Sequence, residues 1–129
     1  MKIKEAAQAS GLSVDTLRYY EKIGVIPPVQ KTDSGIRDYD ETSLRWIDFI
    51  VCLRNAGISI ETIREYTRLA TKGDKTIALR KDLLIKQREL VEDKIRKLTE
   101  SMCVINYKID HYEEIAEKTD RLINGKSVV

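Results

Sequence analysis

Residues 11–28 of the chain, GLSVDTLRYYEKIGVIPP, decide its fold, because they place a short helix between two glycines. Ser13 can cap this helix, since its side-chain oxygen can accept a backbone N–H group left free at the helix start. Leu17 and Tyr20 lie three residues apart and share one face, whereas Arg18 points elsewhere, next to a threonine and a tyrosine. A short helix that is packed on one face and carries Arg, Thr and Tyr on the other is typical of a DNA recognition helix.

A second helix precedes this one. Residues 4–10 predict a helix that ends at Gly11, the usual position of a left-handed stop, and residues 13–22 predict the next helix, which ends before Gly24. Two helices joined by a short turn that contains glycine form a helix-turn-helix. Two ordinary core helices would show the same local pattern, so this segment alone leaves both interpretations open.

A turn-rich segment follows the two helices. Pro27 and Pro28 favour extended backbone, and residues 32–35, TDSG, form a turn between the arms 29–31 and 36–39. The arms carry basic and aromatic side chains, so the pattern predicts a small β-hairpin wing that reaches a phosphate backbone or a minor groove. A solvated connector is the alternative.

Two further helices complete the predicted head of the molecule. Asp40 can cap a helix over residues 41–55, and Ser59 can cap the next helix, which extends to about residue 70. Gly57 separates the two helices. We therefore expect a compact head made of four helices and the hairpin.

The rest of the chain has a different periodicity. No Gly or Pro lies between residues 75 and 117, and apolar residues recur every seven positions, which is typical of a coiled coil. The predicted seam contains Ile77, Leu84, Val91, Ile95, Leu98, Met102, Ile105, Ile109 and Tyr112. A helix of this length measures roughly 60 Å, so we expect two chains to associate through the seam. An intramolecular helical hairpin is the alternative, although no turn residues interrupt the run.

Composition limits the possible functions. The 129 residues are 42% hydrophobic and 34% charged, as in a globular protein. The sequence shows no signal peptide and no long apolar run, so we expect a cytoplasmic protein that does not enter a membrane. The net charge is only +2, so binding to nucleic acid must depend on the local placement of charge. No cluster of acid, base and nucleophile indicates an enzyme.

Three segments resemble the MerR family of bacterial transcription regulators: LRYYE at residues 17–21, IGVIP at residues 23–27 and RDY at residues 37–39. The resemblance covers nearly the whole chain. It implies a mainly α fold with a winged helix-turn-helix head of four helices plus a small β-hairpin wing, followed by one long dimerisation helix that forms an antiparallel coiled coil. The implied division is residues 1–73 for the head, residues 74–118 for the coiled coil and residues 119–129 for a short tail.

The resemblance also implies which side chains meet DNA. The implied contacts are Ser13, Thr16, Arg18 and Tyr19 on the second helix, and Arg37 and Tyr39 on the wing. Tyr20 lies close to the DNA backbone in this interpretation, with packing as the alternative role, and Lys31 joins the set because it lies on an arm of the hairpin. Arginine suits a bidentate base contact or a phosphate clamp, and tyrosine hydroxyls can donate to phosphate oxygens. A homodimer predicts an inverted-repeat site in double-stranded promoter DNA. Family members distort such promoters so that both polymerase elements can be read, which makes RNA polymerase a further expected partner.

The signal that the protein senses is less determined by the sequence. The run IDFIVCLRNAGISIETI at residues 47–63 resembles the AdhR/NmlR-type thiol-sensor branch of the family, which implies that Cys52 responds to aldehydes or related electrophiles. A cysteine that only packs in the core is the alternative. Two other functions stay open: a metal-responsive regulator with an intersubunit site that includes Cys52 or Cys103, and a coiled-coil module that binds protein. We expect no resident cofactor or metal.

Overall fold

The structure, a computed structural model, describes residues 1–116 and is mainly α-helical. The head contains α1 (Ile3–Ser10), α2 (Val14–Lys22), α3 (Glu41–Asn55) and α4 (Ile60–Thr71). A 3-10 turn (Asp74–Thr76) leads into the long helix α5 (Ile77–Asp110), which is followed by the short helix α6 (Tyr112–Ile115). The predicted tail, residues 119–129, and the last residues of the predicted coiled coil lie outside the described residues. No helix in the described part is both long and apolar enough to cross a membrane.

Local side chains fix the helix ends in the head. Asp40 Oδ1 accepts a hydrogen bond from the Ser43 N–H at 2.8 Å, and Ser59 Oγ accepts one from the Thr62 N–H at 3.2 Å, so both predicted caps are confirmed. Helix α1 ends at Gly11, whose φ of +76° lies in the left-handed region that glycine adopts without strain.

The first compact unit of the chain, Met1–Gln87, contains the hydrophobic core. Helix α1 packs against both α2 and α3. The hydrophobic residues of this core that are at most 2% exposed are Ala6, Leu17, Val25, Ile26, Tyr39, Ile47, Ile50 and Ile63. Because α2 contributes only Leu17 to the fully buried set, most of its side chains stay available at the surface.

The structure does not confirm strands in the predicted β-hairpin wing, and the segment is a turn closed by a single bridge. Lys31 and Arg37 form one isolated antiparallel bridge, and residues 1–116 contain no β-strand. Two backbone hydrogen bonds of 2.7 and 2.8 Å flank the bridge. The arms are too short for a longer ladder, because Pro28 precedes one and the helix cap Asp40 follows the other. We refer to residues 29–39 as the wing turn.

The long helix α5 ends at Asp110, because His111 leaves the helical conformation, with φ −117° and ψ 25°. The His111 ring stacks on Tyr107 with centroids 4.2 Å apart, and its Nδ1 lies 3.0 Å from the Tyr107 carbonyl oxygen. The seam residue Tyr112 therefore lies in α6. The dimerisation segment over residues 74–118 stays a prediction.

Candidate DNA interface

The start of α2 is held by two hydroxyl side chains. Ser13 Oγ accepts a hydrogen bond from the Thr16 N–H at 3.0 Å and donates one to Thr16 Oγ1 at 2.8 Å. The hydroxyl hydrogen of Thr16 is left for an outside acceptor. The predicted cap is therefore confirmed, and both side chains lie at the end of the helix where the positive pole of its dipole favours an anion.

The outer face of α2 carries its largest free side chains. The Arg18 side chain is 65% exposed, and its only described ion pair is a long one of 3.9 Å to Asp15. Tyr19 is 55% exposed. Tyr20 is half-buried and packs against the core, with its ring centroid 6.4 Å from that of Tyr19. Arg18 and Tyr19 are therefore free to meet a ligand, whereas Tyr20 mainly supports the helix.

A carboxylate connects α2 to the wing turn. Glu21 Oε1 accepts a hydrogen bond from Arg37 Nε at 2.6 Å, and Glu21 Oε2 accepts one from the Val29 N–H at 3.2 Å. The Glu21 side chain is 15% exposed, and that of Arg37 is 45% exposed. The terminal nitrogens of the Arg37 guanidinium have no described partner and can bind an anion. Lys31 is exposed at the opposite arm.

Tyr39 does not have the surface position that the predicted phosphate contact requires. Its side chain is 1% exposed, and its hydroxyl is buried without a hydrogen-bond partner in the described part of the chain. Burial raises the pKa of Tyr39, and the nearby Glu21 charge raises it further. In this structure Tyr39 completes the core beneath the surface that carries Arg18 and Arg37. We correct its predicted role accordingly.

Sequence reasoning missed two lysines beside this surface. Lys2 and Lys4 line a groove of about 600 Å³ together with Arg18 and Arg37. All four side chains are exposed and, within residues 1–116, only one carboxylate, Glu5, lines the groove with them, so the groove has an excess of positive charge that the net charge of the chain conceals. The alternating lysines of KIKE were the available indication, but only the packing of α1 against α2 brings them beside Arg18.

Both cysteines are exposed and free. Cys52 lies on α3 in the first compact unit, and Cys103 lies on α5 in the second. Exposure of Cys52 rules out the alternative in which it only packs in the core of this chain. Within residues 1–116, no three His, Cys, Asp or Glu side chains are grouped so that they could hold a metal ion.

The predicted seam residues lie on the surface of the chain. No residue of α5 is buried, and Leu84 and Val91 are half-exposed. The remaining predicted seam residues, Ile77, Ile95, Leu98, Met102, Ile105, Ile109 and Tyr112, are each at least 53% exposed. Exposure on this scale along one helix indicates a surface for another protein chain.

Sequence comparisons agree with the geometry. Residues 1–69 match the MerR HTH family of regulatory proteins, and residues 44–103 match the MerR DNA-binding family. The chain is 55% identical over 89 residues to the HTH-type transcriptional regulator AdhR of Bacillus subtilis. This match covers 69% of the present chain and 64% of AdhR, which is just under two thirds of that relative.

Solved structures agree with both the family and the fold. A MerR family regulator from Listeria monocytogenes superposes with a TM-score of 0.84 at 38% identity, covering 99% of this chain and 97% of that one. HiNmlR, a MerR family regulator that lacks the sensor domain and was solved bound to promoter DNA, superposes with a TM-score of 0.80 at 31% identity. That superposition covers 88% of this chain and 90% of HiNmlR. The chain therefore belongs to the MerR family of helix-turn-helix transcription regulators, which are not enzymes.

Proposed function

We propose that this regulator binds an inverted repeat in promoter DNA as a homodimer, with α2 in the major groove and the wing turn on the adjacent phosphates. The observation that carries the proposal is that exposed side chains occur on both elements: Arg18 and Tyr19 on α2, and Arg37 on the wing turn. HiNmlR, which shares this fold, was solved on promoter DNA. A single head reads only a few base pairs, so specific binding requires two copies.

The side chains have different parts in this proposal. Arg18 is exposed and nearly unpaired, so it can make a bidentate base contact or hold a phosphate. The Ser13 and Thr16 hydroxyls and the exposed Tyr19 contact the DNA backbone and fix the register of α2. Lys31 supplies charge on the wing turn, with Lys2 and Lys4 beside it, and these three add salt-dependent affinity without base preference. Arg37 holds a phosphate next to the base pairs that α2 reads.

The long helix supplies the second copy. In this proposal, residues 74–118 form an antiparallel coiled coil with the same segment of a partner chain, and residues 1–73 form the DNA-binding domain. The support is the row of apolar side chains on α5, which are exposed when the chain is alone. Two heads joined in this way would distort the promoter so that RNA polymerase can engage it, at a deformation cost of several kcal/mol.

Substitution of Arg18 tests the DNA interface. A double-stranded inverted repeat is first selected by the wild-type protein from a pool of random sequences. We expect Arg18→Ala to weaken binding to this DNA by about 1–3 kcal/mol at fixed salt, because a bidentate contact is lost. Arg45→Ala is the matched control, since Arg45 is exposed on α3 and its one ion pair within residues 1–116 is with Glu41. Equal affinities of the wild type and Arg18→Ala would refute the role of α2.

Cys52 is the proposed trigger of regulation. Its thiolate would add to the carbonyl carbon of an aldehyde: the sulfur forms a bond to carbon, the C=O π electrons move to oxygen, and that oxygen takes a proton from water. The support is that Cys52 is free and exposed on α3, whose other face builds the core beneath α1. The product is a hemithioacetal, which needs no metal or oxidant.

The trigger is tested with the two cysteines as a matched pair. Cys52→Ser should abolish the aldehyde response of in-vitro transcription and leave DNA affinity unchanged, whereas Cys103→Ser should keep the response. Both residues are exposed, so reactivity and not access is compared. A full response in Cys52→Ser would remove this residue from the mechanism.

A further inference from the structure

We infer that Glu21 is a positioning residue for DNA recognition: its carboxylate fastens the wing turn to α2 and aims the Arg37 guanidinium at the DNA backbone. The inference rests on the proposed DNA-binding function. Glu21 itself is an anion beside a surface that binds a polyanion, so direct contact with DNA would be unfavourable. Any contribution of Glu21 to DNA affinity must therefore come through the two groups that it binds, Arg37 and the Val29 N–H.

The geometry requires both oxygens of a carboxylate. Oε1 accepts from Arg37 Nε at 2.6 Å, and Oε2 accepts from the Val29 N–H at 3.2 Å. The contact with Val29 holds the first arm of the wing turn, and the contact with Arg37 holds the second arm. A glutamine of the same shape has one acceptor and one donor, so it would place an NH₂ group against a second donor and lose one contact.

The contact with Nε leaves the phosphate-binding end of Arg37 free. The guanidinium has five N–H donors in a rigid plane, so fixing Nε also fixes the direction of the other four. The Arg37 side chain is 45% exposed, while that of Glu21 is 15% exposed, so the anion is covered and the cation faces outward. A preorganised arginine loses less entropy on binding than a free one, and this gain applies only to DNA that fits α2 and the wing turn together.

The experiment measures two affinities for each variant at the same salt concentration. One probe is the inverted repeat selected by the wild-type protein, and the other is a scrambled duplex of the same composition. We expect Glu21→Gln to bind the inverted repeat about tenfold more weakly, while its affinity for the scrambled duplex stays equal or rises. The amide hydrogen of Val29 should exchange faster. Glu41→Gln is the matched control, since it breaks the exposed ion pair with Arg45 on α3.

A double-mutant cycle distinguishes positioning from general support of the fold. Arg37→Ala should weaken binding to the inverted repeat by a similar factor, and adding Glu21→Gln to it should cause no further loss. An equal tenfold loss in the Arg37→Ala background would show that Glu21 acts through the fold and would overturn the inference. So would wild-type affinity in Glu21→Gln.

Arg37→Lys is a second variant that tests the same contact. If Glu21→Gln unfolds, Arg37→Lys provides the same information in a variant that keeps the charge, because one ammonium group cannot hold Glu21 and a phosphate in the fork geometry of arginine. Arg37→Lys should then lose about tenfold for the inverted repeat, and wild-type affinity in that variant would contradict the inference. If the wild-type protein selects no inverted repeat, the proposed function itself fails.

Discussion

Apolar residues are buried in the head but exposed in the second compact unit of the chain, which begins at Arg88. In the head, Leu17, Ile47 and Ile63 are at most 1% exposed, because α1–α4 cover each other. In the second unit, Leu98 and Val104 on α5 are each 69% exposed. A head that buries its own core can fold alone, whereas an apolar stripe on a single helix must be covered by something else. The apolar residues of the head therefore stabilise its own fold, whereas those of α5 are available for association with another chain.

The charged residues differ between the two regions as well. On α5, Asp93 pairs with both Arg96 and Lys97, and hydrogen bonds from these cations hold the pKa of Asp93 below its usual value. Such exposed pairs one turn apart favour the helix itself but contribute little to tertiary stability. In the head, the Glu21–Arg37 pair instead joins segments that are 16 residues apart. The ion pairs of Asp93 are thus local, whereas the Glu21–Arg37 pair in the head is tertiary.

The largest expected effect concerns the exposed stripe of α5. Leu98→Asp should dissociate the dimer, raising its dissociation constant at least about a hundredfold, because a carboxylate would have to enter an apolar interface. Thr99→Asp is the control, since it adds the same charge one residue away and outside the predicted seam. Sedimentation velocity over a range of protein concentrations measures both. A Leu98→Asp variant that stays dimeric at the wild-type concentration would show that the stripe is not the interface.

A substitution in the core of the head should have a smaller effect, and it should change the free energy of unfolding instead of dimerisation. Leu17→Ala should lower the free energy of unfolding by about 3 kcal/mol, because the fully buried side chain leaves a cavity. The neighbouring Tyr19→Ala removes a larger side chain that is 55% exposed and should cost less than about 1 kcal/mol. Urea unfolding followed by circular dichroism compares the two. Equal losses would contradict the division of α2 into a buried and a free face.

Local features of the fold could be predicted from the sequence. Helix α3 was predicted over residues 41–55 and has those bounds, because its cap Asp40 and its stop near Gly57 act on adjacent backbone. The cap of α2 by Ser13 was predicted for the same reason. The extent of the wing ladder was not predictable, since an isolated pair of short arms does not show how many rungs its surroundings allow.

The predicted site differs from the structure where a residue's position depends on segments distant in the sequence. Tyr39 was expected at the surface because the family resemblance and its place on an arm of the wing implied a phosphate contact, yet its ring is buried in the core. The role of Glu21 depends on partners 8 and 16 residues away. Lys2 joins the groove only because α1 packs on α2. Each of these facts depends on tertiary packing, which local patterns do not encode.

The smallest expected effect concerns Asp40, whose side chain caps the start of α3. The pKa of Asp40 lies below its usual value, mainly because the carboxylate accepts a hydrogen bond from the Ser43 N–H. A second hydrogen bond, from the Ser43 hydroxyl, lowers it further. A lowered pKa in the folded state means that the contribution to stability is present above the unfolded pKa of about 3.9 and is lost as the pH falls through the folded value.

Asparagine caps helices about as well but does not titrate. Asp40→Asn should therefore match the wild-type melting temperature at pH 7 and fall less steeply than wild type below pH 4. Ser43→Ala, which keeps the N–H but removes the hydroxyl, should give an intermediate slope. Melting curves from pH 7 to pH 2 measure all three proteins, and parallel curves for wild type and Asp40→Asn would show that this carboxylate does not contribute to acid unfolding of the head.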